Sequence, residues 1–277
     1  MSDVTIHVGD CIEQMRNIPD ESVDTVITSP PYWGLRDYGK DAQLGLEQTV
    51  DEYITNMVKV FDEVKRILKP QGTLWLNIGD SYNGSGGSGG DYNEGGIKEG
   101  QPKYGKKNTP NLKPKDLVGV PWRLAFALQE SGWWLRQDII WAKPNCMPES
   151  VKDRCTKNHE YLFLLTKSAN YYYDHEAIKE PVADATRTNY QSGSRPNGEN
   201  KDRQDNDMAS RSKDVVYTTR NKRSVWWVGP KPFKGAHFAV FPIELIEPCV
   251  LAGSPVGGTV FDPFGGSGTT AIAAIKH

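Results

Sequence analysis

Two stretches of the chain gather the residue types that do chemistry. The first is Thr28-Ser29-Pro30-Pro31-Tyr32-Trp33, directly after the apolar run Ser22-Val23-Asp24-Thr25-Val26-Ile27. A β-rich run that meets two prolines can neither go on pairing in a sheet nor open a helix before them, so it stops in a fixed extended turn. That turn holds a hydroxyl, a carbonyl and an aromatic face rigidly together. The second is Asp262-Pro263-Phe264-Gly265-Gly266-Ser267-Gly268-Thr269-Thr270, a strand-to-helix turn whose glycines let a ligand approach the backbone closely. Within it Gly266-x-Gly268-x-x-Ala271 fits a dinucleotide fingerprint, a match that discriminates little by itself. No lysine follows Gly268, which excludes a Walker phosphate loop, and a helix N-terminus at this point favours an anionic group, either a phosphate or a carboxylate.

The elements that must position these turns follow from periodicity. Val4–Val8 alternates with small polar residues and reads as a strand, Cys11–Asn17 as a short helix, and Ser22–Ile27 as the strand entering the proline turn. Trp33–Leu46 reads as a loop. Apolar positions from Val50 to Leu68 recur at helical spacing until Pro70 and Gly72 end the pattern. Thr73–Ile78 is a near-continuous apolar run, the signature of a strand covered on both faces. Leu117–Gln129 reads as a helix, Trp133–Trp141 and Tyr161–Leu165 as strands, Pro242–Leu251 as a helix, and Thr259–Phe261 as a short strand before a helix from about residue 267. Strands alternating with helices through Leu165 give the pattern of an α/β sheet. Residues 82–113, with their run of glycine and serine at 84–90, read as a surface loop that could also fold over a ligand.

Composition sets the bounds. A chain of 277 residues suffices for one large domain or two small ones, and its 37% hydrophobic and 25% charged residues suit an ordered protein with long loops. The net charge of −2 does not announce a nucleic-acid binder, so any basic surface is local. One such region is the polar stretch 183–221, a loop-rich insertion carrying Arg187, Arg195, Arg203, Arg211 and Arg220, with Arg223 just beyond it. Cys11, Cys146, Cys155 and Cys249 lack zinc-site spacing and read as incidental thiols, so no metal is expected. The N-terminus has no secretory pattern and no run of about 18 apolar residues occurs, which gives a cytoplasmic setting as the default. Asp80 reads equally as a cap or a substrate contact, and His159-Glu160 as a structural hydrogen-bonding pair. Trp133, Trp134, Trp141, Trp226 and Trp227 read as packing residues.

Taken together, the two turns resemble the amino-group DNA methyltransferases: Asp262–Thr270 is similar to their S-adenosylmethionine motif and Thr28–Trp33 to the Ser-Pro-Pro-Tyr form of their catalytic motif. The catalytic motif comes first and the cofactor motif last, the permuted order of that family's beta class. The resemblance implies an α/β fold with a Rossmann-like methyltransferase sheet, mostly parallel with helices on both faces, plus a loop-rich target-recognition insertion, and transfer of a methyl group to an exocyclic base amine. Ser29 and Pro30 would hold the amine hydrogens, Pro31 would keep the turn rigid, Tyr32 would stack on the base, and Trp33 would widen the platform on DNA. It places S-adenosylmethionine against Asp262, Pro263, Phe264, Gly265, Gly266, Ser267, Gly268, Thr269 and Thr270. Asp10 would meet the adenine, and the run His237–Glu244, with Phe241 and Pro242, would flank the methionine end.

The same resemblance assigns residues 1–180 to the catalytic part, 181–224 to target recognition and 225–277 to the cofactor part, with the arginines of the insertion as DNA contacts. Ser29 leans the target towards cytosine N4, because family members acting on adenine N6 more often carry Asp or Asn there; adenine N6 is the alternative. An RNA or protein amide methyltransferase would place its cofactor motif before the Pro-Pro-Tyr motif. The partners implied are double-stranded DNA, a second copy of the chain in a homodimer, and a separate cognate restriction endonuclease, with no membrane. From another class, a DNA-binding module without catalysis is the competing reading. In dinucleotide folds an acid about 20 residues past the glycine motif binds ribose hydroxyls. The sequence ends at His277, before that acid and its strand, so either the chain is cut short or its sheet lacks a strand and binds cofactor less well.

Overall fold

The helix that carries the most core shows why these residues fold as they do. Helix α2 (Val50–Ile67) opens on a reciprocal capping box, with Glu52 N–H donated to Thr49 Oγ1 at 3.2 Å and Thr49 N–H to Glu52 at 3.3 Å. It buries Val50, Tyr53, Met57, Val60, Phe61, Val64 and Ile67, a stripe spaced by three and four residues. Acids in its first turn and Lys65 and Arg66 in its last suit the helix dipole. In this computed structural model residues 3–34, 43–84, 111–182, 218–231 and 241–277 are described.

The chain forms two compact units, Met1–Asp174 with Arg223–His277, and His175–Lys222. The larger unit contains α1 (Cys11–Met15), β1 (Val23–Thr28), α2, β2 (Leu68–Ile78), α3 (Val120–Glu130), β3 (Trp134–Ala142) and β4 (His159–Thr166). In the smaller unit β5 (Glu180–Pro181) pairs antiparallel with β6 (Thr219–Arg220), and Arg220 Nε donates to Glu180 at 2.8 Å. The larger unit closes with β7 (Val225–Trp227), α4 (Ile243–Gly253), β8 (Val260–Phe261) and α5 (Thr269–Lys276).

Among the described residues six strands make one sheet, in the order β7-β3-β4-β2-β1-β8. Only β4 runs against its neighbours; β7 and β3 are parallel, as are β2, β1 and β8. Val26, Leu74, Leu76, Ile78, Phe163 and Leu165 share one core with α2 and α3. On β1 and β2 the alternate residues Thr25, Thr73 and Trp75 meet α4 instead. A Cβ on Gly253 would come within 2.7 Å of Thr73 Oγ1 and Trp75 Nε1 and 2.8 Å of Thr25 Oγ1, so glycine lets α4 lie close on the sheet. With both faces covered, β1 and β2 read as continuous apolar runs.

Several expected elements change. Val4–Val8 forms no strand: among the described residues nothing pairs with it, and Val4, Ile6 and Val8 are 49%, 81% and 86% exposed. Pro70 and Gly72 do not separate α2 from its strand, because β2 already starts at Leu68. The β1–β2 pairing steps from Val23–Leu68 to Thr25–Thr73, so residues 69–72 leave the ladder locally, which is how the sheet accommodates a proline. Helix α4 continues to Gly253 despite Pro248. Trp133, Trp141 and Trp226 are buried, whereas Trp134 and Trp227 are exposed. The glycine-rich stretch 85–110, the positions Arg187, Arg195, Arg203 and Arg211, and residues 237–240 lie outside the described residues.

Candidate active site

Parallel strands β1 and β8 are neighbours, with Thr25 opposite Val260 and Val26 opposite Phe261. Their carboxyl ends therefore release the proline turn and the glycine turn side by side, the edge of an open α/β sheet where ligands bind. One bond ties the two turns together: Thr28 Oγ1 donates to Asp262 at 2.6 Å across 234 residues. Asp262 also accepts from Thr270 Oγ1 at 2.8 Å and from its own turn's Phe264 N–H at 3.0 Å. Burial raises its carboxyl above the usual range, while these three donors pull it back down.

The proline turn is clamped at every residue but two. The Pro31 carbonyl accepts from the hydroxyl of Tyr53, a fully buried residue of α2, at 2.9 Å. The Tyr32 hydroxyl donates to Glu160 at 2.8 Å and lies 3.3 Å from Asn77 Oδ1, and Ser29 Oγ donates to it at 3.4 Å. Burial, then the Glu160 charge, push the Tyr32 phenol well above its ordinary range, so it stays neutral. Gly79 gives the ring its room, since a Cβ there would lie 2.7 Å from Tyr32 Cε2. What remains uncommitted is chemically telling: Ser29 keeps its lone pairs, and the Pro30 carbonyl takes no hydrogen bond among the described residues.

The glycine turn borders open space. Gly266 and Gly268 sit at φ +50° and +80°, and a Cβ on Gly268 would meet nothing within 4 Å among the described residues. Gly268 precedes α5, which has no side-chain cap hydrogen bond among the described residues, so no side chain there takes its first N–H groups. Ser267 Oγ and Thr269 Oγ1 lie 3.1 Å apart at its rim, and Thr270 is buried beneath, also donating to the Ile27 carbonyl at 3.3 Å. Phe264 packs on the core and Pro263 is partly buried. Phe241 and Pro242 are buried at the start of α4, where Pro242 is the N-cap. The turn therefore fits a nucleoside-type cofactor lying against the backbone.

Other expected residues fall differently. Trp33 offers no platform for DNA: it is 3% exposed, packed in the core, and its indole N–H is donated to the Glu47 carbonyl at 3.1 Å. Asp10 caps α1 by accepting from the Ile12 and Glu13 N–H groups, each at 3.0 Å. Arg220 is paired with Glu180, and the Arg223 carbonyl accepts from Trp226 Nε1. Asp80 resolves as a cap, accepting from Gly119 N–H at 2.9 Å and Val120 N–H at 3.0 Å at the start of α3. Lys157, its ammonium shifted down by burial, donates to the Asp80 carbonyl at 2.9 Å. Sequence reasoning missed Tyr53, Asn77 and Lys143, whose only signal was their place at strand ends or on a core helix.

Two rigid turns at adjacent carboxyl ends of a mostly parallel sheet, one rich in glycine and one locked by proline, define a Rossmann-like group-transfer enzyme. The family model described as DNA methylase, covering N6 and N4 methyltransferases, matches residues 23–277. The Type II methyltransferase M.SmaI of Serratia marcescens is 49% identical over 268 residues, 96% of this chain and 81% of that protein. M.Cfr9I of Citrobacter freundii is 47% identical over 274 residues, 98% of this chain and 80% of the other. The chain belongs to this family of amino-group DNA methyltransferases; its cofactor is S-adenosylmethionine and its substrate DNA. The fold is shared with the PvuII DNA methyltransferase (cytosine-N4-specific), at a TM-score of 0.62 and 18% identity over 98% of this chain and 77% of that one. It is shared too with a putative DNA modification methylase of Thermus thermophilus, complexed with S-adenosyl-L-methionine, at a TM-score of 0.57 and 23% identity, covering 98% and 82% of the two chains.

Proposed function

We propose that this enzyme methylates cytosine N4 at a specific site in double-stranded DNA, with adenine N6 as the alternative target. The observation that carries the reading is the Thr28–Asp262 bond, which fixes the amine-holding turn against the cofactor turn. An exocyclic amine has its lone pair delocalised into the base ring and attacks poorly until its geometry becomes more tetrahedral. Two acceptors gripping its hydrogens favour that change, and Ser29 Oγ and the Pro30 carbonyl are two acceptors of the turn that take no hydrogen bond among the described residues. Pro31 keeps both aimed, and the Tyr32 ring, held through its hydroxyl, is the face for the base.

The cofactor, when bound, supplies an electrophilic methyl group on a sulfonium sulfur. The backbone of Gly265, Gly266, Ser267, Gly268, Thr269 and Thr270 would hold it, with Pro263 and Phe264 shaping the turn, Phe241 and Pro242 at its methionine end and Asp10 at its adenine. Asp262 acts one step removed, by positioning the turn. A base within a duplex cannot reach this edge, so it must be extruded at a cost of about a few kcal/mol. The insertion 181–224 is assigned to target recognition, with Arg187, Arg195, Arg203, Arg211, Arg220 and Arg223 as its candidate DNA contacts. Relatives named Type II methyltransferases support a protective role beside a separate restriction endonuclease. Ser29 at the first position of the turn supports the cytosine preference.

The test is product identity. DNA methylated in vitro and digested to nucleosides should contain N4-methyldeoxycytidine by mass and chromatography. N6-methyldeoxyadenosine alone would overturn the base assignment, and DNA binding with no methylated nucleoside would favour a non-catalytic module.

A further inference from the structure

Glu160, on β4 and 18% exposed in its side chain, is the hub of a hydrogen-bonded group that reaches the proposed amine acceptor. Its Oε1 is paired with Lys143 Nζ, which comes from just beyond β3 and lies 4.1 Å over the Trp141 ring. Its Oε2 accepts from the Tyr32 hydroxyl at 2.8 Å. Asn77 does not donate to that hydroxyl: its Nδ2 donates to the Tyr161 carbonyl at 3.0 Å and to Glu160 Oε2 at 3.4 Å, which leaves Oδ1, a second and longer acceptor 3.3 Å away, facing Tyr32. An ionised carboxylate can only accept, so the single Tyr32 proton points to Glu160, the nearer and charged acceptor. The Tyr32 oxygen then turns its lone pairs to Ser29, whose O–H donates to it at 3.4 Å.

We propose that Glu160 is a positioning residue for methyl transfer: it fixes the direction of the line Ser29 Oγ to Tyr32 Oη to Glu160 Oε2, and so presents Ser29 to the substrate amine as an acceptor. A serine free to rotate would aim its O–H at an N–H for part of the time, donor against donor. This line removes that orientation before the base arrives. The inference rests on the reading above, in which Ser29 takes an amine hydrogen.

Glu160→Gln gives a sharp test, because Lys143 claims the amide oxygen and leaves the NH2 group facing Tyr32. With the carboxylate gone, the Tyr32 proton is divided between Asn77 Oδ1 at 3.3 Å and Ser29 Oγ, so the line no longer has one direction and Ser29 is turned into a donor for part of the time. Single-turnover methyl transfer should fall by about threefold to tenfold, the worth of an ordinary hydrogen bond. Affinities for S-adenosylmethionine and DNA should hold within about threefold. Tyr32→Phe keeps the ring and cuts the line, freeing Ser29 to rotate, and should cost a similar amount. The double variant E160Q/Y32F should therefore be no slower than Y32F alone, because without the ring hydroxyl Glu160 has no path to Ser29.

A double variant slower than both singles, or full activity in E160Q, overturns the inference. If E160Q does not fold, as thermal melting would show, an unchanged transfer rate in Y32F overturns it by itself. Ser29→Ala separates the two levels: no loss in that variant sinks the amine-holding role of Ser29, whereas a loss combined with independent effects of E160Q and Y32F sinks only the role given to Glu160.

Discussion

Asp262 commits its carboxylate to Thr28, Thr270 and its own turn, which makes it the fastener of the site more than a ligand contact. Thr28→Val keeps the shape of β1 but leaves one buried lone pair unmet, and should cost about 1–3 kcal/mol in urea unfolding. The same change should weaken S-adenosylmethionine binding in calorimetry, since the glycine turn loses one of its ties to β1 and keeps only that from Thr270 Oγ1 to the Ile27 carbonyl. Burial of Asp262 also predicts a pH dependence. With its folded value raised above the ordinary 3.8, the native state keeps a proton that the unfolded chain has released. The stability this group contributes is present below about 3.8 and is lost as pH rises through the folded value. Asp262→Asn should flatten that fall in denaturation curves measured upwards from pH about 4, whatever its own absolute stability; an unaltered slope would show that other groups carry it. Ser29, Pro30 and Tyr32 stand together in the sequence, so their candidacy could be read from adjacency. Glu160 could be read there only as one of a structural hydrogen-bonding pair, because its partner Tyr32 lies 128 residues away and adjacency says nothing about which strand ends will meet.

Elements were readable where local periodicity and tertiary burial agree. The stripe of α2 and the apolar runs of β1 and β2 are of that kind, and the structure places them as expected. Val4–Val8 shows the converse, since alternation makes a segment fit for a strand but only a neighbour's backbone makes it one. The cap of α3 is legible only in part: Asp80 reads equally as a cap or a substrate contact, but not as the cap of α3, where Gly119, left-handed at φ +77°, has no side chain to give and Asp80 from beyond the end of β2 reaches across instead. Gly79, next to Asp80, has a further role that its type alone did not reveal. An alanine methyl there would press on the Tyr32 ring, which is pinned at its hydroxyl and cannot swing away without leaving Glu160. Gly79→Ala should therefore lower turnover by about tenfold or more, the equivalent of one lost hydrogen bond at the site, while melting temperature changes little. Equal loss of stability and activity would place the effect in the strand and not in the ring.

At the scale of the molecule, the order of the chain and the order of the sheet differ in a way that makes the site. The first and last strands of the sheet in sequence, β1 and β8, lie side by side, so turns 234 residues apart share one bond. Everything that fastens them belongs to the larger unit. Both junctions with the smaller unit are also anchored there: Asp174 N–H donates to the Ala252 carbonyl at 2.9 Å, and the Arg223 carbonyl accepts from Trp226 Nε1 at 2.7 Å. If residues 175–222 serve target recognition and not cofactor binding, replacing them with a short glycine-serine linker should leave S-adenosylmethionine affinity within about threefold by calorimetry, because the clamps of both turns are untouched. DNA binding should respond in the opposite way. Loss of phosphate-neutralising lysines and arginines should lower affinity at least about tenfold and make its dependence on salt shallower, since fewer counterions are released. Fluorescence anisotropy with a duplex across a salt series measures both, and an unchanged salt slope would move the DNA contacts from the insertion to the larger unit.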